Sequence, residues 1–198
     1  AVRCAIQHAG EDEVFSWMAR LGETYPGDIG ILSPVLMNLV TLSPGEAIYV
    51  GAGEVHAYLQ GVALEIMANS DNVIRGGLTP KHVNQAELLR NVRFQPGPVD
   101  LLRPEEQSSG GRVYACPARE FLLTRIPVSM KRDRVHQGSG SVEILFCLKG
   151  ACGVTDLETG REIVVSRGNA LLVSAAVEAY RMQGEATLYR ASVPAPVL

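Results

Sequence analysis

Basic clusters, long apolar runs and paired cysteines are all missing from this chain, and each absence removes a class of function. Lysine and arginine total 18 against 21 aspartates and glutamates, for a net charge of -3. With no basic block, nothing in the composition favours a nucleic-acid partner or a membrane surface. No apolar stretch approaches the ~20 residues of a bilayer-spanning helix. The opening "AVRCAIQHAGEDEVF" lacks the basic, apolar and small-residue order of a secretory leader. Only four cysteines occur, Cys4, Cys116, Cys147 and Cys152, with no C-x-x-C spacing. Scattered thiols of this kind suit a reducing, cytoplasmic setting and argue against a disulfide frame or a zinc knuckle.

What remains is ordinary globular material. A length of 198 residues, 46% hydrophobic and 20% charged, is enough for one large or two small domains with a buried core. "EDEVFSWMARLGE" sets Val14, Trp17, Met18 and Leu21 on one helical stripe, with Glu11 or Asp12 at its start and Gly22 after its end. From Pro26 onward, apolar stretches broken by Pro and Gly, as in "SPVLMNLVTLSPGEAIYVGAG", read as buried strands joined by turns. "QAELLRNVRF" allows a short helix or strand. "QPGPVDLLRPEEQSSGG" has the composition of a linker. Beyond it, "FLLTRIPV", "SVEILFCLKGACGVT", "REIVVSRGNALLVS" and "ATLYRASV" are β-rich. The expected fold is therefore mainly β, a sandwich, jelly roll or barrel.

A weak internal repeat accompanies this pattern. Pro44–Tyr58, "PGEAIYVGAGEVHAY", aligns with Arg167–Arg181, "RGNALLVSAAVEAYR". Gly45 falls on Gly168, Ala47 on Ala170 and Val50 on Val173, while His56 falls on Ala179. On this reading the chemistry belongs to the first copy and the second β-region is structural.

The stretch from Gly51 to Lys81 carries the polar residues. Read as a hairpin turning at Gln60-Gly61, it puts Glu54, His56 and Tyr58 on one strand face and sets His56 opposite Glu65. A histidine and a carboxylate on a concave β-face suit a divalent metal. They equally suit a hydrogen-bonded core histidine and a rim ion pair. Arg75 and Lys81 are ordinarily surface charges. The residues by themselves support a polar patch on a β-barrel.

"HAYLQGVALEIMANSDNVIRGGLTPK", His56 to Lys81, resembles the signature stretch of type I mannose-6-phosphate isomerases, zinc-dependent cupins. The resemblance runs through His-Ala-Tyr, Gly61, Glu65, Met67-Ala68, Ser70-Asp71-Asn72, Arg75 and Thr79-Pro80-Lys81, and extends over Tyr25 to Phe94. Gly76 stands where Ala is usual. The resemblance implies that His56 ligates Zn2+ and that Arg75 acts in catalysis. Tyr58, Glu65 and Lys81 match pocket positions. Glu65 is the candidate carboxylate for proton transfer and is equally suited to orienting His56; Lys81 suits the phosphate of a phosphosugar, a role open to Arg75 as well. Family members are about twice this length, and their N-terminal half supplies a Gln-x-His pair and a Glu to the metal. Gln7 and His8 are adjacent and precede a helix, so they read as structural or surface residues.

The implied organisation is the end of a helical segment over 1–26, part of a catalytic cupin over 27–95, a linker over 96–111 and a degenerate C-terminal cupin over 112–198. The implied activity is interconversion of mannose 6-phosphate and fructose 6-phosphate. The competing expectation is a non-catalytic cupin module, or a half-enzyme subunit completed by another polypeptide that brings the remaining zinc ligands.

Overall fold

The computed structural model describes residues 7, 8, 10, 12–70, 72–108, 110–131 and 133–194. Two compact units share them: Ala1–Pro44, Ile48–Gly61 and Ser70–Leu101 in one, Gly45–Ala47, Val62–Asn69 and Leu102–Leu198 in the other. Cys4, Glu11 and Asp71 lie outside the described residues.

In the first unit, helix α1 (Glu13–Thr24) starts at Asp12, whose carboxylate accepts from Val14 N–H. Met18 and Gly22 are its buried residues. Gly22, expected to end the helix, instead lies inside it. Chain reversal waits until Tyr25, whose N–H donates to the Leu21 carbonyl. Gly22 is buried at a position where glycine costs a helix ~1 kcal/mol relative to alanine. Gln7 and His8 are helical, and the His8 ring lies 5.8 Å from Phe15.

The strand expectation for the next stretch is only partly met. Asp28 caps a 3-10 turn (Ile29–Leu32) by accepting from Gly30 N–H, and α2 (Ser33–Leu36) follows with a proline in its first turn. Only Ala47–Ile48 forms strand β1. Among the described residues of 49–84 there is no ladder. "QAELLRNVRF" resolves as a helix, α3 (Gln85–Asn91), capped by Asn84.

The second unit is built on two 14-residue strands. Its elements are β2 (Leu101–Leu102, which begins one residue earlier), β3 (Glu105–Glu106), β4 (Arg112–Tyr114), β5 (Leu122–Val128), β6 (Arg134–Gln137), β7 (Glu143–Asp156), β8 (Glu162–Ser166), β9 (Ala170–Val173) and β10 (Ala179–Ser192). β7 and β10 pair antiparallel. Along its other edge β10 meets β6 and then β5, while β7 meets β9 and then β8. The sheet thus forks on both sides of the central pair, and side chains from the branches share one core.

Alternation explains which face is inside. On β10, Tyr180, Met182, Ala186, Leu188, Arg190 and Ser192 are buried, all at even numbers. On β7 the buried set is Glu143, Leu145 and Cys147, then Cys152 and Val154. This change of parity arises at a bulge: Leu188 pairs with Cys147 and Thr187 with Lys149, so Leu148 is the extra residue. Without it, one half of β7 would turn its apolar side chains to water.

The internal repeat has a structural counterpart. Pro44-Gly45 and Arg167-Gly168 are both turns, Gly45 and Gly168 share positive φ (95° and 84°), and each leads into a strand and a second turn, at 52–53 and 175–176. Of the thiols, Cys147 and Cys152 are buried and unpaired, and burial, then the neighbouring Cys147, pushes the Cys152 thiol up to about 11. Both are inert core residues rather than nucleophiles.

Candidate active site

Four of the five candidate residues, His56, Tyr58, Arg75 and Lys81, lie in the first unit, while Glu65 lies in the second. His56 is exposed, and its Nδ1 lies 3.2 Å from the Glu54 carbonyl, so Nδ1–H donates there. That fixes the tautomer and leaves the Nε2 lone pair outward, the arrangement of a metal-ligating imidazole. Tyr58, 70% exposed, stands edge-on to the same ring at 6.0 Å. The bend expected at Gln60-Gly61 is present, with Gly61 at φ 117°, although the ladder expected to flank it is not. Strand-forming side chains alone do not make a ladder; each edge needs a hydrogen-bonding neighbour.

The segments carrying His56 and Arg75 come together through their neighbours. A Cβ at Gly76 would stand 3.3 Å from Val55 Cγ1. Val55 precedes His56 and Gly76 follows Arg75. The glycine that departs from the family's usual alanine therefore sits at a tight point between these segments. Arg75 is half-buried, Lys81 exposed. Lys81 is the last residue of a turn in which its N–H donates to Thr79 Oγ1. Upstream, Asn72 N–H donates to Ser70 Oγ at 3.1 Å.

Asp28 is a residue that sequence reasoning passed over. Its Oδ1 accepts from Gly30 N–H at 2.7 Å and its Oδ2 from Leu78 N–H at 2.8 Å, across 50 residues. Leu78 has φ 50°, the one described non-glycine in the left-handed region, a conformation that costs ~1–2 kcal/mol. Its side chain lies over Gly30, where a Cβ would come within 2.9 Å of Leu78 Cγ. One carboxylate thus holds the strained turn between Arg75 and Lys81. A hollow of about 350 Å³ lined by Thr24, Tyr25, Pro26, Asp28, Thr79 and Pro80 adjoins that turn. The only signal in the sequence was "GDIG", an aspartate placed to cap a helical turn. Asp28→Ala is expected to lose ~1–3 kcal/mol, read as a lower urea midpoint, with Asp28→Asn losing less; an unchanged midpoint would remove Asp28 from this role.

The second unit holds a buried polar cluster that sequence reasoning also missed. Glu143 is 2% exposed; it accepts from Tyr180 Oη–H at 2.8 Å, lies 3.2 Å from His136 Nε2 and 3.6 Å from Arg190 Nη1. Arg190 Nη1 also lies 2.8 Å from His136 Nδ1 and rests against its Nε2. Burial alone would raise the Glu143 carboxyl, but the hydrogen bonds from His136 and Tyr180 and the Arg190 charge outweigh it, and the group lies below its ordinary value. Burial, then the Glu143 charge, pushes the Tyr180 hydroxyl up. A signal existed: Glu143 and Arg190 share strand parity with core residues.

Among the described residues no three or more His, Cys, Asp or Glu side chains gather to hold a metal ion. No helix among them is long and apolar enough to cross a membrane.

No family model matches the chain. It is 36% identical over 191 residues to mannose-6-phosphate isomerase of Salmonella typhimurium, covering 96% of this chain and 48% of that protein. The Escherichia coli mannose-6-phosphate isomerase is 36% identical over 181 residues, with 91% and 45% covered. The solved structure of the Salmonella typhimurium enzyme bound to substrate and zinc superposes with a TM-score of 0.85 at 32% identity, over 98% of this chain and 49% of that one. The chain spans about half the length of the curated relatives it matches. It is a homologue of the mannose-6-phosphate isomerases, matched along nearly all of its own length.

Proposed function

We propose that this chain is the C-terminal half of a mannose-6-phosphate isomerase, and that with the remaining half it interconverts mannose 6-phosphate and fructose 6-phosphate. The observation that carries the reading is the homology over 96% of the chain to an isomerase, together with the polar positions retained between His56 and Lys81.

The reaction moves a proton between C2 and C1 through an enediol, and negative charge gathers on the carbonyl oxygen. His56 Nε2 would be this chain's ligand to zinc, which when bound supplies a Lewis acid for that oxygen. Arg75, half-buried, would offset the developing charge as a fixed cation. Glu65 is the carboxylate assigned to carrying the proton, Lys81 meets the phosphate as a point charge, and Tyr58 offers a hydroxyl to the sugar. The unpaired thiols fit a reducing cytoplasm.

Zinc sites take three or four protein ligands; His56 is the one the resemblance assigns to this chain, and the remaining half would supply the others. Exposed apolar side chains along the unladdered segment, Val55, Tyr58, Val62 and Met67 among them, suit strands awaiting a partner. Mannose 6-phosphate and zinc supplied to this chain alone are expected to give no turnover. Adding a polypeptide that carries the family's Gln-x-His half is expected to restore it; no turnover from the pair would reject the reading. His56→Ala in that pair is expected to lower bound zinc on elemental analysis, and unchanged zinc would reject the ligand assignment.

A further inference from the structure

A second polar site lies inside the C-terminal β-unit. β10 sets Arg190 directly opposite Thr124 of β5, on the buried face of both strands. Between them is a cavity of about 20 Å³, lined also by His136, Met182, Arg134 and Gln107. That is room for one or two oxygen-sized atoms. Thr124, 2% exposed, has no partner for Oγ1; Arg190, 9% exposed, has none for Nε. Buried donors of this kind are rarely left unmatched, and a charged one least of all. Two donors converging on one small cavity call for a single acceptor atom.

Charge decides what kind of acceptor it is. The Glu143 carboxylate is already committed to Tyr180 and His136, and it meets Arg190 through Nη1 rather than Nε. The donor left over therefore belongs to a cation. A cationic donor strengthens its hydrogen bond to any oxygen, and an anionic oxygen adds direct charge–charge attraction, which counts for most in a buried cavity. A neutral carbonyl lacks that attraction. Gln107 and Val135, both on the lining, are exposed, so the cavity reaches the surface and one oxygen can enter while the rest of the ligand stays outside.

We propose that the C-terminal β-unit binds a small oxyanion, a carboxylate or phosphate group, one oxygen of which receives both the Arg190 Nε–H and the Thr124 hydroxyl. The site uses none of the five residues assigned to isomerisation and is formed wholly within one unit.

The test is a 1H–15N titration of the Arg190 Nε–H resonance in the full chain. Inorganic phosphate and, separately, acetate are added at constant ionic strength held by chloride. A saturable shift with either supports the proposal; tighter phosphate binding identifies a phosphate monoester class, tighter acetate binding a carboxylate class. Thr124→Val, which deletes only the hydroxyl, is expected to weaken the dissociation constant about tenfold. Arg190→Lys, which keeps the charge and loses Nε–H, is expected to abolish the saturable thermal shift given by the same anions. No saturable response to either anion, an equal response in Thr124→Val, or a crystal structure grown in phosphate with water alone between Thr124 and Arg190 would overturn it.

Discussion

Arg75→Ala in the complete enzyme is expected to lower kcat by about 10²–10³-fold, the loss seen when one preorganised donor to a developing oxyanion is removed. The physical reason is timing. A cation that stabilises charge present only in the transition state adds little to substrate binding and much to the rate. KM should therefore change less than kcat. Arg75 is half-buried and adjoins Gly76, where an added Cβ would meet Val55, so truncating it removes a charged head without emptying a core. Folding should be intact by thermal melt. Arg75→Lys is expected to recover only part of the rate, because an ammonium presents one point charge where the guanidinium presents a planar fork. Near-normal turnover by Arg75→Ala would take Arg75 out of the chemistry.

Glu143→Ala is expected to have the largest effect on stability, about 3–5 kcal/mol, since it leaves Arg190 buried without its counter-charge. A thermal or urea transition of the chain would show it. Glu143→Gln keeps the volume and one acceptor and should fall between. The pH dependence has a definite sign. In the folded chain the Glu143 carboxyl lies below its ordinary value of 4.5, so on acidification the unfolded chain takes up this proton first. Its contribution is whole above that ordinary value and is lost as the pH falls through the lower, folded one. Stability of Glu143→Gln should then be flatter than wild type below pH ~4.5. Parallel acid profiles for the two would show that the cluster does not act through this carboxylate.

The two sites differed in how visible they were. The first announced itself because closely spaced polar residues in apolar, strand-forming sequence are rarely without purpose, and His56, Arg75 and Lys81 all fall in one short stretch. The second was hidden because its members are far apart: His136, Glu143, Tyr180 and Arg190 sit on three strands and meet only when β6 and β7 flank β10. The repeat aligned Ala179 with His56 and suggested a second region without chemistry. The alignment of turns holds, yet His136, Glu143 and Arg190 all lie outside the aligned stretch, and only Tyr180 falls within it.

Local patterns settled what depends on neighbours in the chain: α1 from its stripe and its aspartate cap, and β5, β7 and the later half of β10 from their β-rich runs. Such features rest on energies felt over a few residues. Long-range pairing decided the rest. Whether Leu148 bulges, whether 54–69 finds a ladder partner, and whether Asp28 reaches Leu78 all depend on groups dozens of residues away. Hydrogen-bond partners and desolvation are properties of the folded chain, and no periodicity carries them.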